Sequence, residues 1–113
     1  MSGEINWFEL PAADTTKARA FYGDLFGWTT SEFGEDYHLI GNGPVGAIAP
    51  SETGFTHPRV YFASTDVDAS AKRIHELGGT SEDIQTVPGV GRIVHCRDDQ
   101  GVPFSLYEPA QQG

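Results

Sequence analysis

Apolar and polar positions alternate over Ile5 to Leu10, with aromatic residues prominent, the pattern of a half-buried strand. Pro11 to Ala13 closes that run. Asp14 follows as a helix cap, because its carboxylate can accept from the unpaired N–H groups of a first turn. Ala18, Phe21, Tyr22, Leu25 and Phe26 then recur at helical spacing on one stripe, and Gly27 supplies the stop. Tyr37 to Ile40 and Val45 to Ala49 predict strands on either side of the turn Gly41-Asn42-Gly43-Pro44. Pro50 to Pro58 reads as a linker.

Beyond the linker the pattern returns. Val60 to Ala63 predicts a strand, and Asp66 caps a helix whose inner stripe is Val67, Ser70, Ala71, Ile74 and Leu77. Gly78-Gly79 ends that helix, and Arg92 to Cys96 and Pro103 to Tyr107 predict strands joined across Asp98-Asp99-Gln100-Gly101. Thr29 to Phe33 and Ser81 to Gln85 are further short strands in this reading. A shift of 52 residues lays Trp7-Phe8-Glu9-Leu10 on Arg59-Val60-Tyr61-Phe62, Asp14 on Asp66, Leu25 on Leu77 and Gly27 on Gly79. A repeat of this kind implies an architecture. The expected fold is α+β: two tandem βαβββ modules forming an open, barrel-like cleft with both helices outside. Residues 1–113 form a single domain in this reading, module one about 1–53 and module two about 54–113.

Composition narrows the functional classes. Sixteen acidic residues against seven basic ones give a net charge of −9, which argues against a nucleic-acid groove. The chain has one cysteine, Cys96, so it can form no intrachain disulfide and no cysteine cluster for zinc. No basic segment precedes an apolar run at the start, and no stretch approaches a membrane span, so a cytoplasmic protein without membrane contact is expected.

Strand alternation nominates the candidate site. Phe8, Leu10, Val60, Phe62, Phe104 and Leu106 belong to the faces the helices cover, which leaves Trp7, Glu9, Arg59, Tyr61, Ser105 and Tyr107 on the inner surface. That is an aromatic surface with one acid, one base and several hydroxyls, the usual make-up of a small-molecule site. His38 and His95, on strands in corresponding parts of the two copies, are added as ligand-binding candidates. Competing structural readings stand beside these: Trp7 and Tyr61 as filling or subunit contact, Glu9 and Arg59 as an ion pair, the histidines as satisfied structural residues. Cys96 and His95 are strand neighbours pointing to opposite faces, which speaks against a Cys-His nucleophile.

The segments Trp7-Phe8-Glu9-Leu10-Pro11, Asp14, Phe21-Tyr22 and Leu25-Phe26-Gly27-Trp28 resemble the opening of the vicinal oxygen chelate superfamily, which includes lactoylglutathione lyase, bleomycin- and fosfomycin-resistance proteins and extradiol dioxygenases. Val60-Tyr61-Phe62, Asp66-Val67-Asp68-Ala69, Gly78-Gly79 and Asp98 to Phe104 resemble its second module. The resemblance covers nearly the whole chain and is nearest to the short proteins related to lactoylglutathione lyase. It implies four metal-ligand positions, carried over as Trp7, Gly46, Arg59 and Ser105. His, Glu or Gln fills them in catalytic members; the residues here depart from that pattern, so no metal and no other cofactor is expected. The expected function is binding of a small planar or cationic molecule in a metal-free aromatic cleft, as in the bleomycin-resistance branch. The alternative is a lyase- or isomerase-like enzyme acting on a small carbonyl or aromatic metabolite. Glu9 would be its catalytic general base, and Arg59 or Tyr61 its oxyanion stabiliser. A homodimer is expected, with Trp28 as the bulky aromatic near a module edge.

Overall fold

Two stretches of alternating sequence fold into strands paired as a sheet, four in the first unit and five in the second, each with one capped helix. The computed structural model describes residues 3–53 and 55–110, so the linker glycine Gly54 lies outside the described residues. The chain forms two compact units, residues 8–59 and residues 60–110 together with 3–7.

The first unit contains β1 (Ile5–Ala12) from Phe8 onward, α1 (Thr15–Phe26), β2 (Thr30–Glu32), β3 (His38–Ile40) and β4 (Ala47–Pro50). β1 pairs with β4 in parallel, β4 with β3 and β3 with β2 antiparallel. The second contains β5 (Arg59–Ala63) from Val60 onward, α2 (Val67–Glu76), β6 (Thr80–Ser81), β7 (Gln85–Val87), β8 (Gly91–Arg97) and β9 (Pro103–Pro109). Its order matches the first: β5 parallel to β9, then β8 and β6 antiparallel, with β7 also on β8. The repeated sequence is thus a repeated βαβββ topology in an α+β fold. β7 is extra. In place of the expected single strand from Ser81 to Gln85 there are two, and Ile84 between them packs on the core of its unit.

Both helices begin as expected. The Asp14 carboxylate accepts from Lys17 N at 3.0 Å, and the Asp66 carboxylate from Ala69 N at 3.2 Å. α1 ends at Gly27 with φ 75°, a left-handed turn that glycine adopts without a Cβ penalty. In α2, Val67 and Ile74 meet Val94, Cys96, Leu106, Phe62 and Phe104, which confirms the face assigned to the helix. Leu77 is an exception: it falls just beyond the last residue of the helix and is exposed.

α1 departs further from expectation. Phe21, Leu25 and Phe26 are 62%, 58% and 59% exposed. The more buried positions are Thr15, Ala18, Arg19, Tyr22 and Gly23, a stripe rotated from the one the hydrophobic pattern suggests. The exposed rings pack on one another instead: Tyr22 stacks on Trp28 at 5.4 Å, Phe26 lies 5.1 Å from Trp28, and Phe21 meets Tyr22 edge-on at 5.2 Å. Asn42 ties this end of α1 to the β3–β4 turn, accepting from Thr29 N at 2.7 Å and donating to Gly27 O at 3.0 Å. Among the described residues, no helix is long and apolar enough to cross a membrane.

Candidate functional site

In the second unit, register builds a polar row on the sheet face turned away from α2. Tyr61 on β5 pairs with Ser105 on β9, and Ser105 with His95 on β8. Residues directly opposite one another in a sheet share a face, so these three side chains stand side by side. Ser105 Oγ lies 2.6 Å from His95 Nδ1, and the Tyr61 and His95 rings meet edge-to-face at 6.2 Å. Ser105 is fully buried and Tyr61 almost so, whereas His95 is half-buried. The next row on that face is Ala63, Tyr107 and Ile93. The Tyr107 hydroxyl donates to Val90 O at 3.2 Å, and Asn6 Nδ2 donates to Tyr107 O at 3.4 Å. Trp7, next to Asn6, belongs to this unit and is half-buried.

Cys96 is on the opposite face, inside the α2-facing core, as alternation requires. Burial, with the nearby Glu82 charge as a second cause, pushes its thiol up to about 11, so it is no nucleophile near neutrality.

In the first unit, Glu9 is the one buried residue of β1, 8% exposed. The Tyr37 hydroxyl donates to its Oε2 at 2.5 Å, a short charge-assisted bond. The sequence pattern placed Tyr37 on a strand without a role. Its signal was the alternation that sets it on the Glu9 side: Glu9 pairs with Ala47, Ala47 with Leu39, and Tyr37 is two residues from Leu39. Arg59 lies in the same unit with its guanidinium over the Phe55 ring, 4.4 Å from the centroid.

His38 is not brought to the Glu9 face. It pairs with Ile48, and Ile48 with Leu10, so it shares the opposite face. It is 3% exposed, and neither ring nitrogen has a hydrogen-bond partner among the described residues. An unsatisfied buried polar group is destabilising. His38→Leu is therefore expected to stabilise the fold by about 1 kcal/mol, which raises the thermal midpoint by about 4 °C. A fall in a differential scanning melt would show that the imidazole is satisfied after all.

Register also corrects one of the family-derived metal positions. Glu9 and Tyr61 are equivalents in the repeat; Glu9 pairs with Ala47 and Tyr61 with Ser105. The counterpart of Ser105 is therefore Ala47, not Gly46. Gly46 points the other way, where a Cβ would lie 2.2 Å from the Phe8 ring and 2.6 Å from Phe8 O. The four positions then hold Trp7, Ala47, Arg59 and Ser105. One hydroxyl, a fully buried methyl, an indole and a permanent cation do not make a divalent-ion site. Among the described residues, no group of three or more His, Cys, Asp or Glu side chains could hold a metal ion.

Comparison with known proteins agrees with the fold. Residues 4–38 match the family model described as bleomycin resistance protein-like N-terminal. The chain is 33% identical over 120 residues to a protein of Mycobacterium tuberculosis named "Putative glyoxylase CFP32", an alignment covering 98% of this chain and 46% of that protein. It is 30% identical over 114 residues to the anthracycline biosynthesis protein DauV of Streptomyces sp. (strain C5), covering 94% of this chain and 42% of the other. The chain thus spans somewhat under half the length of these curated relatives. In three dimensions it is similar to methylmalonyl-CoA epimerase from Mycobacterium tuberculosis, with TM-score 0.69, 22% identity and coverage of 96% of this chain and 89% of that one. A hypothetical protein, BH1468 from Bacillus halodurans C-125, matches with TM-score 0.73 at 7% identity, covering 98% and 97%.

Proposed function

The chain belongs to the vicinal oxygen chelate superfamily, and on that premise we propose that it binds a small planar organic molecule against the polar sheet face of its second module. One observation carries this reading: Tyr61, Ser105 and His95 stand in a single cross-strand row, with the half-buried imidazole held by two buried neighbours. His95, Tyr107 and Trp7 are the ligand contacts in this proposal. Tyr61 and Ser105 act through His95. The site needs no metal and no cofactor. An aromatic contact of the Trp7 kind contributes on the order of 1 kcal/mol beyond the area it covers. Trp7→Ala is expected to weaken a bound ligand by roughly tenfold or more. A thermal-shift screen of metabolites and basic antibiotics, followed by titration of the variant, measures this. Hits that bind Trp7→Ala as tightly as wild type would overturn the assignment.

A second reading is favoured by the buried Glu9 carboxylate and its 2.5 Å bond from Tyr37. In it the protein is a lyase- or isomerase-like enzyme, and Glu9 takes a proton from a small carbonyl substrate. Its support beyond geometry is that similar proteins are named as a glyoxylase and as a methylmalonyl-CoA epimerase. Deuterium wash-in from heavy water at the carbon next to a carbonyl, abolished by Glu9→Gln, would favour this reading over simple binding. Its absence across a panel of small keto compounds and thioesters counts against it.

The protein is also proposed to pair as a homodimer through the exposed apolar surface of Phe21, Leu25 and Phe26 beside the half-buried Trp28. Light scattering is expected to give twice the chain mass for wild type and the single mass for Leu25→Glu. A single mass for wild type at high micromolar concentration would remove this assembly.

A further inference from the structure

Two structural demands meet at the β3–β4 turn, and together they make a reactive dipeptide. The first falls on Asn42. Its Oδ1 accepts from Thr29 N at 2.7 Å, and its Nδ2 donates to Gly27 O at 3.0 Å. The side chain thereby fastens the turn to the left-handed cap of α1. An amide accepts and donates at once, whereas an ionised carboxylate has no hydrogen for Gly27 O. The second demand falls on Gly43. A Cβ there would lie 2.6 Å from Trp28 Nε1, 3.0 Å from Trp28 Cδ1 and 3.1 Å from Ile40 Cγ2. Glycine lets the indole pack against the turn, and so no side chain shields the Gly43 nitrogen. Among the described residues, that N–H makes no hydrogen bond. Asn42 and Gly43 are both exposed to water.

We propose that Asn42–Gly43 is a self-modification site, at which opening of the turn converts the asparagine to aspartate or isoaspartate and so releases α1 from the turn for good. The chemistry needs only solvent water. The Gly43 nitrogen gives its proton to solvent and bonds to Asn42 Cγ. The Cγ–Nδ2 bond breaks, and that nitrogen leaves as ammonia. A five-membered cyclic imide remains. Water then adds to one of its two carbonyls, and the bond from that carbon to the Gly43 nitrogen breaks, the nitrogen taking back a proton. Opening at Cγ leaves aspartate. Opening at the main-chain carbonyl leaves isoaspartate, with one more carbon in the backbone. One water is consumed, one ammonia is released, and nothing is oxidised or reduced. The leaving nitrogen is the one that bonds Gly27 O, so the closed turn opposes the step. Afterwards neither ionised product has a donor for Gly27 O, and the new negative charge sits at the negative end of α1. The site thus records opening of the turn in covalent form. It depends on neither the binding nor the pairing reading.

Mass spectrometry with peptide mapping tests it. Purified protein is held at mildly alkaline pH, one sample in buffer and one in unfolding urea. Asn6, the other asparagine of the chain, is an internal control, because the bulky Trp7 after it hinders ring closure. Conversion is expected at Asn42 and not at Asn6. It should be about tenfold slower in buffer than in urea, a protection of about 1.4 kcal/mol from two modest hydrogen bonds. Equal rates in the two samples overturn the protection by the turn, and no conversion at Asn42 in urea overturns the modification itself. The second measurement is a melt of Asn42→Asp, which builds one product directly. Its midpoint should fall by about 4 °C, the loss of one hydrogen bond. A midpoint equal to that of wild type overturns the lasting release of α1.

Discussion

Gly91→Ala is expected to lower the thermal midpoint by roughly 10–20 °C. Gly91 opens β8 opposite Pro109, at the point where the chain enters the long β8–β9 pair. Its φ is +147°, a region that side chains rarely enter. A Cβ there would lie 2.2 Å from Glu108 O, 2.9 Å from Ala110 N and 2.9 Å from Pro109 Cα. All three neighbours are backbone atoms, two in paired β9 and the third, Ala110 N, bonded to Val90 O, so none can rotate aside. Backbone strain costs about 1–3 kcal/mol and overpacking about as much again. The total is a large share of the 5–15 kcal/mol that holds an ordinary domain together. A circular-dichroism melt of the purified variant checks this. A midpoint within about 2 °C of wild type would mean that β9 can yield at this point, contrary to the register.

Glu108→Ala is the second large effect, and acid should reproduce it. The Glu108 carboxylate accepts from Arg92 Nε and Nη2, each at 3.1 Å, and from Val67 N at 3.0 Å. Arg92 Nη1 continues to Asp68 at 2.8 Å. One side chain on β9 therefore holds the first turn of α2 and the neighbouring strand together. The Arg92 bonds first, and the Val67 N–H second, hold the Glu108 carboxyl below its ordinary range. The native state thus binds fewer protons than the unfolded chain near the ordinary carboxylate pKa. The stabilisation is fully present above that value and is lost as pH falls through the lower native value. Removing the acceptor of Val67 N alone should cost about 1 kcal/mol, by analogy with lost helix caps. That is about 4 °C in a domain of this size. In melts at a series of pH values, wild type should lose its advantage over Glu108→Gln as pH falls below about 4. A constant difference between the two curves down to pH 2 would show that the carboxylate contributes nothing.

The repeat, both helix starts and the βαβββ order of the first unit were legible in the sequence, for local reasons. Asp14 and Asp66 cap helices because a carboxylate at that position meets free N–H groups whatever lies elsewhere in the chain. Phe62, Phe104 and Leu106 face α2 because side chains alternate along a strand and only one face of that sheet carries the apolar cluster. The same alternation set Tyr61, Ser105 and Tyr107 on the other face, as the cross-strand pairs bear out.

What escaped the sequence was everything that depends on how one element meets another. The apolar spacing of α1 names a stripe but not its rotation, and the Phe21 ring packs on Tyr22 and the Phe26 ring beside Trp28 instead of beneath the helix. The family resemblance carried Gly46 over as the counterpart of Ser105. Hydrogen-bonded register, which no local pattern encodes, put Ala47 there. Side-chain period two makes that one-residue difference a change of face. His38 looked like a counterpart of His95, yet pairing with Ile48 buries it with no hydrogen-bond partner among the described residues, while pairing with Ser105 sets His95 Nδ1 2.6 Å from a hydroxyl. Sequence alone determined which residues could carry chemistry in this protein. Tertiary structure decided which of them have a neighbour that orients them, because a hydrogen bond across strands is fixed by register and burial, and both are properties of the assembled sheet.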